Sequence, residues 1–223
     1  MNYYNIEARC KCEMFIGTCN NIECPHSLSS SENTKFWAEG WAASKYSKEP
    51  YVKTQIGSLI NKIKYDKEPS YSVSERMRDA KIIVNKIVEL ISVLYNTRNL
   101  PFDVCVSPPS HNEKPLDLAA FICNSISGKS IRYFNDSVIE RESLGSVKQM
   151  SKYERSAALL DNFVFDPRPG QHPSKGILLV DDVFETGSTL KGVSRAIAAQ
   201  YPGLNRFVIT ATYIGQMGKI QAV

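Results

Sequence analysis

No stretch of this 223-residue chain approaches the roughly 18 consecutive apolar residues of a membrane-crossing helix. The opening Met1-Asn2-Tyr3-Tyr4 also lacks the basic and then apolar run of a secretory leader, and the expected location is the cytoplasm. The pattern Gly-x-x-x-x-Gly-Lys-[Ser/Thr] is missing, which excludes a P-loop. There is no internal repeat, so solenoids and propellers are excluded, and the only low-complexity hint is Ser27 to Ser31. The excess of one charge sign over the other is small as well. A net charge of +4 and a sequence pI near 8.6 fit a polyanionic ligand but are too small to demand nucleic acid. What is present is 43% apolar residues, enough for one α/β domain of ordinary size plus a small extra module.

The most informative stretch is Gly176 to Leu190. Ile177 to Val180 are four consecutive apolar residues, a length and composition suited to a central parallel strand buried on both faces. Asp181 and Asp182 follow at its C-terminal end, and Glu185-Thr186-Gly187-Ser188-Thr189 then opens a helix. In open α/β sheets ligands sit beyond the carboxyl ends of the strands, where a helix N-terminus offers N–H donors to an anion. Gly187 permits close backbone approach, and the hydroxyls of Thr186, Ser188 and Thr189 add donors. Adjacent carboxylates can hold the vicinal hydroxyls of a ribose, or place a metal through water. The pattern suits a phosphorylated sugar. A receiver domain would need its phosphate-accepting aspartate on a later strand, yet no aspartate follows Asp182. The bland alternative is a pair of solvent-facing caps, which would not need the whole pattern.

Taken in order, the chain begins with Cys10, Cys12, Cys19 and Cys24, with His26 behind them. In a reducing compartment such a cluster suits zinc, His26 being a possible substitute ligand; the irregular spacing leaves free thiols in a flexible arm as the alternative. Residues 1–34 are expected to form this module and residues 35–223 the main domain. Phe36, Trp37, Trp41 and Tyr46 suggest a hairpin packing one onto the other. Val52, Ile56, Leu59, Ile60 and Ile63 recur at helical spacing after Pro50, with Lys53, Lys62 and Lys64 on a solvated face. Ser72 with Glu75 makes a capping box for a second helix, whose buried stripe is Met77, Ala80, Val84, Ile87, Ile91 and Leu94. Phe102 to Val106 reads as a core strand ending in a loop that faces the ligand side, Leu116 to Ile126 as a helix with Pro115 in its first turn, and Ile131 to Phe134 as the next strand. Asn135 to Pro173 is long, polar and punctuated by glycine and proline; it reads as a mobile cover carrying Arg141, Lys148, Lys152 and Arg155, or else as a solvated linker. The signature strand, a helix from Ser188 to about Gln200 and the strand Arg206 to Ile214 complete a βαβ unit.

The string Leu-Leu-Val-Asp-Asp-Val-x-x-Thr-Gly-x-Thr-Leu resembles the phosphoribosyl pyrophosphate (PRPP) signature of type I phosphoribosyltransferases. Four further pieces, in order, narrow the resemblance to the ComF-like branch. They are the cysteine cluster, Ile56-Gly-Ser-Leu-Ile-Asn-Lys-Ile-Lys-Tyr65, the loop after Val106, and Met150-Ser-Lys-Tyr-Glu-Arg-Ser-Ala-Ala-Leu-Leu-Asp-Asn-Phe-Val-Phe165. The resemblance implies a Rossmann-like, mainly parallel sheet flanked by helices, behind a small N-terminal zinc module. It implies catalytic Asp181 and Asp182, with a 5-phosphate loop at Glu185, Thr186, Gly187, Ser188 and Thr189. Pyrophosphate would meet Ser107, Pro108, His111 and Lys114, and the cations Lys148, Lys152 and Arg155 would screen it as it leaves. With Mg²⁺, a nitrogen acceptor of unidentified structure would displace pyrophosphate from C1 of PRPP. The best-known members take part in DNA uptake during natural transformation. Two departures keep a second reading open: Glu185 stands where the common signature has threonine, and an arginine-rich stretch after the pyrophosphate loop is missing. That reading is a weak or inactive PRPP-binding module, or a partner for single-stranded DNA or DNA-processing proteins. The oligomeric state is not readable.

Overall fold

The computed structural model describes residues 26–28, 30, 32–49, 52–66, 68, 70–98, 100–110, 116–128, 130–142 and 150–214. In chain order they form β1 (His26–Ser27), β2 (Glu39–Lys45), β3 (Ser47–Glu49), β4 (Val52–Lys53), α1 (Gln55–Tyr65), α2 (Val73–Arg98), β5 (Val104–Val106) and α3 (Leu118–Ile126). There follow β6 (Arg132–Tyr133), β7 (Val138–Glu140), α4 (Lys152–Leu160), β8 (Phe163–Phe165), β9 (Gly176–Phe184), α5 (Ser188–Gln200) and β10 (Asn205–Tyr213).

The apolar run at 177–180 lies at the heart of a six-stranded sheet ordered β1-β2-β10-β9-β5-β6. Every pairing in it is parallel except β1 with β2. Strand β9 is covered on both sides, as its composition demands. Leu178 and Val180 pack with Ile60 and Ile63 of α1, Ile83, Ile87 and Leu90 of α2, and Ile122 of α3. Ile177 and Leu179 pack with Leu159 of α4, Phe163 and Phe165 of β8, and Leu190, Val193 and Ile197 of α5. Each such side chain contributes about 1.5–3 kcal/mol on burial. An exposed ion pair such as Arg168 with Asp136, at 3.7 Å, contributes about 0–1 kcal/mol. Two packed faces on one strand decide the architecture.

Several sequence expectations change here. The aromatic stretch is no separate hairpin, because β2 runs inside the main sheet, parallel to β10, with Trp41 paired to Ile209. Strand β1 and the buried Leu28 also belong to this sheet and its core, so the sheet starts within the segment read as a module. The first long helix begins at Gln55, not near Tyr51: Val52 and Lys53 pair with β3, and the Thr54 hydroxyl caps the helix by accepting from Gly57 N–H at 2.9 Å. Met77 is 40% exposed, and the stripe of α2 runs instead through Ala80, Ile83, Val84, Ile87, Leu90, Ile91 and Leu94. Helix α3 starts at Leu118, because the Asp117 carboxylate accepts from Ala120 N–H and fixes the N-cap there. Among its described residues the supposed cover forms β7 and β8, which pair antiparallel, and α4, which opens with a capping box between Ser151 and Glu154.

Asp103 ties the opposite end of the sheet together. Its carboxylate accepts hydrogen bonds from Ser174 Oγ at 2.8 Å, Lys175 N–H at 3.0 Å and Gly176 N–H at 3.4 Å, and pairs with Arg132 at 2.9 Å. Burial alone would raise its pKa, but the bonds from Lys175, Ser174 and Gly176 bring it down to about 2 from the ordinary 3.8. A folded-state pKa below the unfolded one stabilises the fold fully above about pH 4 and loses that contribution as pH falls through about 2. Asp103→Asn is expected to lower stability at pH 7 by about 1–2 kcal/mol after allowance for solvent screening. The difference from wild type should shrink in urea melts as pH falls from about 4 to about 2; a constant difference from pH 7 to pH 2 would refute the assignment.

Candidate functional site: a cleft at the carboxyl ends of β5 and β9

Strand order reverses between β5 and β9: β5 connects through α3 to β6 on one side, while β9 connects through α5 to β10 on the other. Such a switch point leaves a crevice beyond the strand ends. Strand β5 pairs with β9 only as far as Val106 opposite Leu179, whereas β9 continues beside β10 to Phe184 opposite Tyr213. Asp181 and Asp182 therefore sit within β9, on the part that β5 no longer flanks, rather than at its terminus. They line a cleft of about 360 Å³ together with Lys64, Pro108, Arg155 and residues 185–189.

The two carboxylates have different surroundings. Asp181 Oδ1 accepts from Asp182 N–H at 2.8 Å. Asp182 is buried, 8% exposed, and its Oδ2 meets the Lys64 ammonium at 2.7 Å. Solvent-facing caps are thereby excluded. Burial would lower the Lys64 pKa, but the charge of Asp182 and its hydrogen bond, with Asp181 behind, raise it above the ordinary lysine value. Nearby, burial together with the Tyr65 phenol raises the pKa of Tyr46.

The turn after β9 is built around Gly187, whose φ of +69° lies in the left-handed region. A side chain there would meet strain, and its Cβ would stand 2.6 Å from the Phe184 ring. Gly187 is the N-cap of α5, Thr186 Oγ1 and Ser188 Oγ are hydrogen-bonded at 2.7 Å, and Thr189 lines the cleft beside them. Glu185 is exposed and pairs with Arg155 of α4 at 3.4 Å. Arg155 thus belongs to the Gly187 turn rather than to a loose cover. Its Nε is buried and has no hydrogen-bond partner among the described residues.

On the other wall, Pro108 reaches the cleft, while Ser107 Oγ is hydrogen-bonded to Tyr133 Oη at 2.9 Å, next to an adjoining hollow that both line. Burial pushes the Tyr133 phenol well above its ordinary pKa. The cleft thus brings together Pro108, Arg155, Asp181, Asp182, Glu185, Thr186, Gly187, Ser188 and Thr189, with Ser107 in the adjoining hollow. His111, Lys114, Lys148, the side chains of Lys152 and His26, and Cys10, Cys12, Cys19 and Cys24 lie outside the described residues.

Sequence reasoning missed Lys64, which it placed on a solvated face. A signal existed: Gly57, Ile60 and Lys64 are spaced three and four apart, so Lys64 shares a stripe with two buried residues. Among the described residues no three His, Cys, Asp or Glu side chains gather as a metal site. With one carboxylate already bound to an ammonium, Asp181 and Asp182 do not suit a divalent cation held by the protein alone.

No protein-family model matches the chain. No curated relative matches it. Among solved structures it is similar to a xanthine-guanine-hypoxanthine phosphoribosyltransferase of Helicobacter pylori, with 10% identity and a TM-score of 0.33 over 67% of this chain and 87% of that one.

Proposed function

We propose that this chain is a ComF-like type I phosphoribosyltransferase that binds PRPP and transfers its ribosyl 5-phosphate to a nitrogen acceptor, releasing pyrophosphate. The observation that carries the reading is the left-handed Gly187 turn at the N-terminus of α5, set two strand residues beyond an aspartate pair at the switch point of a parallel sheet. In this reading the turn and the helix N-terminus take the 5-phosphate. The Arg155 guanidinium, which lines the cleft, supplies further donors to it. Asp181 takes the ribose hydroxyls, and Ser107 and Pro108 face the pyrophosphate. Mg²⁺ enters only with the oxygens of the diphosphate, where it would offset their charge; the chain's own part is to orient the sugar and limit water around C1. We place a zinc ion at Cys10, Cys12, Cys19 and Cys24 by ligand chemistry alone.

The test is isothermal titration of PRPP with Mg²⁺, followed by pyrophosphate release against a panel of nucleobases, with zinc measured on the same purified chain at about one per chain. Asp181→Asn is expected to weaken PRPP binding by about tenfold to a hundredfold, as a charge-assisted hydrogen bond is lost, with a melting curve run beside it to confirm that the variant is folded. Unchanged affinity would sink the ribose assignment. The second reading, binding without turnover in DNA uptake or processing, draws support from the ammonium already seated on Asp182. It is favoured if PRPP binds and no acceptor releases pyrophosphate.

A further inference from the structure

The Gly187 turn rests on an aromatic floor that comes partly from a distant stretch of the chain. Phe184 leads into the turn at the end of β9, where its carbonyl accepts from Ile214 N–H at 2.8 Å. Its ring stands edge-on to Trp37, with the ring centres 6.2 Å apart. A Cβ on Gly187 would lie 2.6 Å from the Phe184 ring and 3.4 Å from Trp37 Cη2, so both rings lie directly against that residue. Trp37 is itself fixed. It is 1% exposed, its backbone N–H donates to Asn33 O at 3.2 Å, and Ala38 N–H donates to Arg206 O at 2.8 Å. Just before it, Phe36 O accepts from Ser194 Oγ of α5 and, at 2.8 Å, from Arg206 Nε of β10. The indole Nε1–H is buried with no hydrogen-bond partner among the described residues, a cost that phenylalanine would not carry. What indole has over phenyl is reach, and the atom that reaches Gly187 belongs to its outer ring.

We infer that Trp37 is a positioning residue of the proposed 5-phosphate turn, whose indole props Phe184 and Gly187 so that the turn holds its binding shape before a ligand arrives. This deepens the phosphoribosyltransferase reading and rests on it for the phosphate. The left-handed conformation is one of several open to a glycine. In an unsupported loop the others would be populated, and a turn that holds the binding shape only about a tenth of the time binds about tenfold more weakly. The two rings remove that freedom by filling the space into which Gly187 would relax. The same packing makes residues 33–38 part of the site, although none of them is among the residues that line the cleft.

The experiment is isothermal titration of the full chain with inorganic phosphate, for wild type, Trp37→Phe, Trp37→Leu and Phe165→Leu, each well below its melting midpoint. Phe165 is the control: it is 1% exposed in the same apolar cluster, but it packs edge-on to Tyr201 at the far end of α5. Phosphate affinity is expected to fall at least about threefold in Trp37→Phe and at least about tenfold in Trp37→Leu. It should stay at the wild-type value in Phe165→Leu, although that variant's midpoint drops. Should Trp37→Leu fail to fold, Trp37→Phe decides the matter, because it keeps an aromatic core and sheds the unpaired N–H. Wild-type affinity in the Trp37 variants, an equal fall in Phe165→Leu, or a wild type that binds no phosphate overturns the inference. A purely structural tryptophan would lower the midpoint and leave phosphate affinity where it was. PRPP enters no arm. Phosphate affinity that follows Trp37 beside a failed PRPP titration removes the phosphoribosyltransferase reading alone, and intact PRPP binding beside phosphate affinity that ignores Trp37 removes the inference alone.

Discussion

Gly57→Ala is expected to destabilise the chain by about 3 kcal/mol, the upper end for an overpacked site, although alanine is the better helix former by about 1 kcal/mol. An added Cβ would lie 1.9 Å from the Tyr46 carbonyl oxygen and 2.8 Å from its carbon. Neither backbone has room to yield. Tyr46 N–H donates to Tyr213 O at 2.9 Å, which extends the pairing of β2 with β10, and Tyr46 O accepts from Thr54 N–H at 3.1 Å at the N-cap of α1. For a chain of this size each kcal/mol shifts the midpoint by about 2–4 °C, so the expected fall is roughly 6–12 °C. Circular dichroism melts check it against Gly128→Ala, where nothing stands within 4 Å of the new methyl and the change should stay within about 0.5 kcal/mol. Equal shifts in the two variants would show that the contact with Tyr46 is relieved at no cost. Because α1 carries Lys64, the same substitution should also disturb the cleft.

The parts of the fold that were legible in the sequence are those where one local pattern has one structural meaning. The run Ile177 to Val180 has no polar face to offer, so it had to be a central strand, and the turn at Gly187 marks the start of α5 at Ser188. The capping box of α2 is visible as Ser72 and Glu75, and both its hydrogen bonds form, Glu75 N–H to Ser72 Oγ at 3.3 Å and Ser72 N–H to the Glu75 carboxylate at 2.9 Å. What escaped depends on partners distant in sequence. Strand β2 carries Trp41, Ala42, Ala43 and Ser44, all buried, yet its aromatic flanks suggested a hairpin because nothing local points to β10, more than 160 residues later. The segment 135–173 reads as a polar cover because polar residues, glycine and proline break up its periodicity. Ser151 and Glu154 form the same capping pattern as Ser72 and Glu75, and the alternation of Phe163 and Phe165 marks a strand. Lys64 escaped for a deeper reason. A lysine beside an apolar stripe ordinarily extends to water, and only the approach of β9 to α1 supplies the carboxylate that keeps it inside.

That pairing changes how the aspartates should be dissected. Neutralising both at once suggests itself from sequence as a clean test of ligand binding, but Asp182→Asn alone strands the Lys64 ammonium in a recess where its side chain is 12% exposed. Breaking one half of a buried ion pair costs about 3–5 kcal/mol; with the cleft open to water on one side, a loss of about 2–3 kcal/mol is expected. Asp181→Asn leaves the contact of Lys64 Nζ with Asp182 in place. Replacing both members, as Lys64→Met with Asp182→Leu, is expected to recover most of the lost stability, because neither charge is then left without its counterpart. Urea unfolding of wild type, the Asp182→Asn and Lys64→Met single variants, and the Met/Leu pair measures this directly. If the pair were as unstable as the sum of its single variants, the two residues would be acting independently and the contact would carry no coupling. If it recovers, the salt bridge is a device for placing charge at the cleft rather than for stability, since an apolar pair serves the fold equally well. A stable Met/Leu protein that no longer binds PRPP would then separate the fold from the site.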